Sequence, residues 1–267
     1  GIGIRELDDG RVIVTYLTDG APAANAGIEL GAEITAINGE DISAALDATV
    51  PWSSPFSNLD RLRLEQLRYV VRFPVGVSVD LTYQNPDMDD VQTITLLTVG
   101  ERDSWNATLI GLDSAPSWAL PVEFEVMDNG YGYVRINGFS EDPLVMLRLW
   151  EWMIDTLNDQ NIPGLVIDMR NNGGGYNIDN QMASYFFNEE LLVGNEARYY
   201  PGAGFYIDPL TEERLTLPPD GRYYAGRVAV LVGPNCASAC ESFAYNMTLD
   251  NRAAIVGHYT TAGLGGS

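Results

Sequence analysis

Residues 228–248, VAVLVGPNCASACESFAYNMT, restrict the fold more than any other stretch of this 267-residue chain. An apolar β-type run at 228–232 enters a Gly-Pro-Asn turn, and a helical pattern begins within a few residues. Ser238 stands at the junction. A side chain placed there gains exposure at the end of a sheet, and it lies at the positive end of a helix, which favours any anion formed beside it. That is the logic of a nucleophile carried on a strand–turn–helix, in a version that lacks the G-x-S-x-G spacing. The same position suits a plain helix N-cap, a common role for serine. The stretch by itself leaves both roles open.

Two cysteines, Cys236 and Cys240, flank Ser238. With a single histidine in the chain, His258, they cannot complete a four-ligand zinc site. They read as a short-loop disulfide, as two small buried side chains, or as a reactive thiol. All fifteen basic residues are Arg and none is Lys, so no lysine base, Schiff base or phosphate ligand can come from this chain. With a net charge of -22, nucleic acid is not an expected partner, since binding it needs a basic face. No apolar run reaches membrane-spanning length, and the residues from Gly1 do not read as a signal peptide, as expected of a mature or trimmed chain.

Along the chain, residues 1–100 read as strands and turns with a short helix at 22–27 and an inserted helix at 57–72, started by Ser57 and Asp60 and stopped before Pro74. Residues 101–121 lose periodicity and read as a linker docked through Trp105 and Trp118. From 122 to 267 strands alternate with helices, including a helix from Pro143 with Leu144, Leu147, Trp150 and Ile154 as its apolar stripe. Such alternation predicts an α/β layer with largely parallel pairing.

A buried strand also runs into DMRNNGGG at 168–175. Glycines after a strand let backbone N–H groups point at an anion. The segment lacks the Lys-Ser/Thr of a P-loop and the G-x-G-x-x-G spacing, so no nucleotide cofactor is expected. It suits an oxyanion hole, whose donors must be preset toward the charge of acyl transfer, or a tight turn with no ligand.

Two resemblances organise these observations. GIGI at 1–4, GAPAANAG at 20–27 and GAEITAING at 31–39 resemble a bacterial PDZ domain in order and spacing. This implies that Gly1, Ile2, Gly3 and Ile4 offer backbone N–H groups to a peptide carboxylate while the peptide adds to the sheet edge; a PDZ fold kept as a structural cover over another site is the alternative. The D-x-R-N-N-G-G-G segment, followed by x-A-S-A-x-E on a strand–helix junction and by D-N-R-A-x-x-x-G, is similar to the S41 serine peptidases. That family holds the C-terminal processing (tail-specific) proteases, and its fold is a small β-rich PDZ-like domain ahead of a crotonase/ClpP-like α/β core.

Carried over by position, the resemblance implies Ser238 as nucleophile, the amides of Gly173, Gly174 and Ala239 as oxyanion donors, and Asp250 as an acidic residue of the site. The family lysine position falls on Leu264, or on Gly263 with a shifted gap, so a Ser–Lys dyad is excluded. This departure resembles the tricorn-like branch, which uses a histidine, and also relatives that only bind ligands. His258 is then the base by elimination, oriented by Asp250 or Glu241, unless the base lies outside this chain. The family core continues beyond such an end, so a core truncated at its C-terminal side is expected. The expected function is an extracytoplasmic or secreted serine hydrolase acting on peptide or other acyl substrates, esters included, with no cofactor or metal. A non-catalytic peptide- or ligand-binding protein on the same fold is the alternative.

Overall fold

Alternating burial in the first hundred residues builds an antiparallel sheet. In the computed structural model, which describes residues 1–53, 55–108, 119–195, 197–207, 212–218 and 220–263, the chain divides into two compact units, Gly1–Leu112 and Asp113–Ser267. The first contains β1 (Ile2–Glu6), β2 (Val12–Leu17), α1 (Pro22–Asn25), β3 (Glu33–Ile37), β4 (Glu40–Asp41), α2 (Ile42–Ala48), α3 (Leu59–Tyr69), β5 (Ser78–Gln84), β6 (Gln92–Leu97) and α4 (Asp103–Ala107). Its sheet has the order β1-β2-β3-β5-β6, with β4 beside β3. In β5, Val79, Leu81 and Tyr83 are buried while Ser78 and Asp80 are exposed, the period-two pattern of a sheet covered on one face.

Helix α3 starts at Asn58, not Ser57: the Asn58 Oδ1 accepts the Arg61 N–H at 2.8 Å. Leu64 and Leu67 are buried beneath it, whereas Leu59 is exposed. The helix also buries an ion pair, Glu65 with Arg68 at 2.8 Å. Residues 101–108, expected as the start of a linker, belong to this packing. Trp105 of α4 lies over the Arg68 guanidinium at 4.0 Å and meets Tyr69 edge-on at 5.2 Å. Trp118 falls outside the described residues.

The second unit is a mixed α/β layer. It contains β7 (Glu123–Val126), β8 (Gly132–Arg135), α5 (Pro143–Asp159), β9 (Gly164–Asp168), α6 (Asp179–Ser184), β10 (Leu191–Asn195), β11 (Arg198–Tyr200), β12 (Phe205–Ile207), β13 (Glu212–Leu215), β14 (Arg227–Leu231), α7 (Ala239–Asn246) and β15 (Ala253–Val256). The main sheet has the order β15-β14-β9-β8-β7. Only β7–β8 is antiparallel in it; β8, β9, β14 and β15 run parallel. Central β9 reads GLVID because both its faces are covered.

Asp142 caps α5 by accepting the Leu144 and Val145 N–H groups, with Pro143 in the first turn. Trp150 of α5 meets Phe186 and Phe243 edge-on at 5.7 and 6.1 Å and donates its Nε1–H to the Met182 carbonyl. One indole thus gathers α5, α6 and α7. The consequence for chemistry lies in the register. Arg135 pairs with Asp168, Asp168 with Leu231 and Leu231 with Val256, so four strands end along one edge of the sheet. Loops leaving that edge meet one another, as at the carboxyl ends of parallel sheets generally.

Candidate active site

Three loops leave this edge carrying expected site residues: the glycine-rich turn after β9, the Ser238 loop after β14, and the His258 segment after β15. The first two touch. Gly174 has φ +87°, and a Cβ on it would fall 2.5 Å from the Ala237 carbonyl oxygen and 2.8 Å from Ser238 Cβ. Only glycine permits both the backbone angle and the approach. On its other side the turn is strapped to the end of β8: the Phe139 N–H donates to the Gly174 carbonyl and the Tyr176 N–H to the Phe139 carbonyl, both at 2.8 Å.

Ser238 has φ 53° and ψ −123°. The other described non-glycine residues with positive φ are Asn38, Asp87, Asn161, Asp250 and Asn251, the two types that tolerate it. At ψ −123° the serine lies outside even the left-handed helical well, a strain of about 1–3 kcal/mol that the surroundings must impose. They do so from several sides. The Ser238 N–H donates to Glu241 Oε2 at 3.2 Å and its carbonyl accepts the Ser242 N–H at 3.0 Å. Cys236 and Cys240 are joined as a buried disulfide with Cα atoms 5.2 Å apart, so the serine sits inside a cross-linked loop. Glu241 Oε1 accepts the Gly263 N–H at 2.7 Å, and Ala262 N–H donates to the Cys236 carbonyl at 2.8 Å. The segment after β15 is thereby laced onto the serine loop.

The expected oxyanion donors separate into two kinds. The Gly174 N–H is spent on Asn172 Oδ1 at 2.8 Å, so Gly174 supplies close approach and not a donor. The amides of Gly173 and Ala239 make no hydrogen bond within the described residues. Gly173 is exposed, and a Cβ there would meet nothing within 4 Å. Asn172 itself is fully buried, and its Nδ2 has no partner among the described residues.

His258 leaves the same edge on the neighbouring strand. It is exposed, with its ring edge-on to Tyr259 at 4.5 Å, whereas the Ser238 backbone bonds to Glu241 and Ser242. Asp250 does not join them. It precedes β15 in an exposed turn with φ 50° and ψ 26°, whereas His258 follows that strand. The eight residues of helix α7, about 12 Å along its axis, lie between Ser238 and the turn that carries Asp250. Of the two acids weighed from the sequence, Glu241 is the one beside the serine. Leu264 lies outside the described residues.

In the first unit, Gly1, Ile2, Gly3 and Ile4 open edge strand β1, with Ile2 and Ile4 turned into the core. The chain's own α4 region packs against this strand: a Cβ on Gly3 would fall 2.6 Å from Thr108 Cγ2, and Arg5 donates to the Thr108 carbonyl at 3.3 Å.

At the ends of β8 and β9, Asp168 is buried and accepts the Tyr133 hydroxyl at 2.6 Å together with Arg170 Nε and Nη2 at 2.9 and 2.7 Å. Burial acts to raise its carboxyl, but these hydrogen bonds prevail and hold it below the usual carboxylate range. No local sequence signal marks Tyr133 and Arg135, because their place opposite Asp168 depends on the parallel register.

Residues 130–267 match the sequence profile of peptidase family S41, and the chain belongs to that family. Among its curated relatives, a carboxyl-terminal-processing protease of Picosynechococcus sp. is 27% identical over 97% of this chain and 53% of its own. The carboxy-terminal processing protease CtpA of Bacillus subtilis is 23% identical over 99% of this chain and 47% of its own. The chain therefore spans about half the length of these relatives. Among solved structures, mature CPAF shares the fold, with a TM-score of 0.66 at 15% identity over 100% of this chain and 69% of that one.

Proposed function

We propose that this chain supplies the nucleophile and the oxyanion site of a serine peptidase that forms an acyl-enzyme on Ser238. The observation that carries this reading is the Ser238 backbone, held at φ 53° and ψ −123° against Gly174 inside a disulfide-closed loop. Ser238 is also the N-cap of α7, in a capping box with Glu241; a cap alone needs no such geometry, since caps take ordinary extended angles, whereas presentation of a side-chain hydroxyl above the strand ends does.

In this mechanism Ser238 Oγ attacks the substrate carbonyl carbon. The hydroxyl proton passes to a base, and the carbonyl oxygen becomes an oxyanion held by the Ala239 and Gly173 amides. The Ala239 amide opens α7, so the helix dipole adds to the stabilisation. Collapse of the intermediate expels the amine, which takes up the proton, and water then releases the acyl group. His258 is the base this chain can offer, after movement toward Ser238 from its place on Tyr259. Glu241 holds the serine loop in position. The first unit is a PDZ-like module whose β1 edge takes peptide once the α4 region moves aside. The disulfide fits an oxidising, extracytoplasmic setting.

A fluorophosphonate serine probe tests the reading: wild type labels at Ser238, by peptide mass, and Ser238→Ala does not. A folded wild type that resists labelling overturns it. His258→Ala separates the bases, because labelling that survives this change assigns proton removal to another group. The position of His258 against Tyr259 favours a second reading, a non-catalytic peptide-binding protein. That reading requires peptide binding without turnover by either form.

A further inference from the structure

A polar cleft of about 190 Å³ opens at the ends of β8 and β9, lined by Arg135, Asn137, Asp168, Arg170 and Asn171. Its charge is unusual in a chain of net charge -22: two guanidinium groups face one carboxylate. That carboxylate is already committed, since Asp168 accepts the Tyr133 hydroxyl, two Arg170 side-chain donors and the Arg170 N–H. Arg135 touches the group only through a long 3.5 Å contact to the Tyr133 hydroxyl. No carboxylate lies within ion-pairing distance of it among the described residues, unlike Arg63, Arg68, Arg72, Arg148 and Arg222. The carboxylate of the cleft is consumed while its cationic donors remain: Arg170 Nη1 and the Arg135 fork, whose charged neighbours are Asp168 and the cross-strand Glu123, with the Asn137 and Asn171 amides beside them. A planar anion with two oxygens matches such a fork.

The location supplies the ligand class. Asn171 lines the cleft and opens the turn whose Gly174 touches Ser238. Three peptide units span at most about 11 Å, the reach of roughly three residues of extended substrate. Resting on the reading of Ser238 as nucleophile, we propose that this cleft binds a carboxylate of the substrate peptide within about three residues of the bond cleaved. The carboxylate comes either from the peptide's free C-terminus or from an acidic side chain near it.

The test uses the Ser238→Ala chain, which cannot turn over, and fluorescence anisotropy of three labelled octapeptides. One is neutral with a free C-terminal carboxylate, one is the same peptide amidated, and one is amidated with a Glu near its end. Arg135 is exposed, so Arg135→Gln leaves the Asp168–Arg170 pair in place; an unchanged melting curve verifies this. The expected result is a loss of about tenfold in affinity for one or both carboxylate peptides and no change for the neutral amide. The peptide affected names the source of the carboxylate. Equal affinities with Arg135→Gln, an equal loss for all three peptides, or no measurable binding of either carboxylate peptide overturns the proposal. Probe labelling of wild type reports separately on Ser238: if it fails while the Arg135 difference persists, the nucleophile falls and the cleft stands as a binding site.

Discussion

Gly174 is packed so tightly on Ser238 that a single methyl group would lie 2.8 Å from the serine Cβ and 2.5 Å from the carbonyl oxygen before it. The neighbouring Gly173 meets nothing within 4 Å of the same construction. Two adjacent glycines therefore carry opposite predictions. Gly174→Ala combines strain at φ +87° with a backbone clash; it should cost about 1–3 kcal/mol from conformation alone and abolish probe labelling. Gly173→Ala should change the melting temperature little. Thermal melts of the pair check this, and a Gly173→Ala loss as large as that of Gly174→Ala would refute the assignment.

Reduction of Cys236–Cys240 should loosen the serine before it unfolds the domain. The bridge closes a loop with a sequence separation of 4, so its loss should cost about 2 kcal/mol, at the low end for such links. Labelling of Ser238 should slow by more than tenfold, a flexible loop no longer paying for its strained angle in advance. Labelling rates with and without reductant, and in Cys236→Ala/Cys240→Ala, measure it; unchanged rates would mean that the disulfide does not hold the serine in place.

The buried Asp179 predicts a pH dependence. Burial, with a further push from the Glu213 charge, lifts its carboxyl to about 6. The folded chain thus holds this proton more tightly than the unfolded chain, so the contribution is present below about pH 4 and is lost as pH rises to about 6. The loss is roughly 2–3 kcal/mol. Asp179→Asn should be more stable than wild type above pH 6, and the gap should close toward pH 4. Urea melts of both across that range would show parallel curves if the carboxyl does not titrate this way.

In the first unit, Glu65→Gln should destabilise by about 3–5 kcal/mol, because the Arg68 charge stays buried with no carboxylate. Arg68 Nε and Nη2 already have no partner among the described residues, and Trp105 covers the guanidinium face. Replacing both members with Met should recover most of the loss, since apolar packing has no charge to desolvate. Denaturant midpoints of the single and double variants decide the matter.

What could be read from the sequence was what is local. The strand–turn–helix at 228–248 and the glycines at 173–175 encode their geometry within a few residues, and both formed where the pattern put them. What could not be read depends on which way a helix travels and which strands align. Asp250 is close to His258 in sequence, yet the four residues of β15 separate them by about 13 Å of extended chain. Arg135, Tyr133 and Asp168 meet only through the β8–β9 register. Helix α4 was hidden because its five residues carry no periodicity; Trp105 is placed by tertiary contacts with α3.

Glu241 has one carboxylate oxygen on the Ser238 N–H and the other on the Gly263 N–H. One short side chain therefore couples two strands' worth of backbone, and the serine's angle becomes a readout of where the segment beyond β15 sits. A pull on that segment reaches the hydroxyl through a single residue, much as a taut stay transmits load to the mast it steadies.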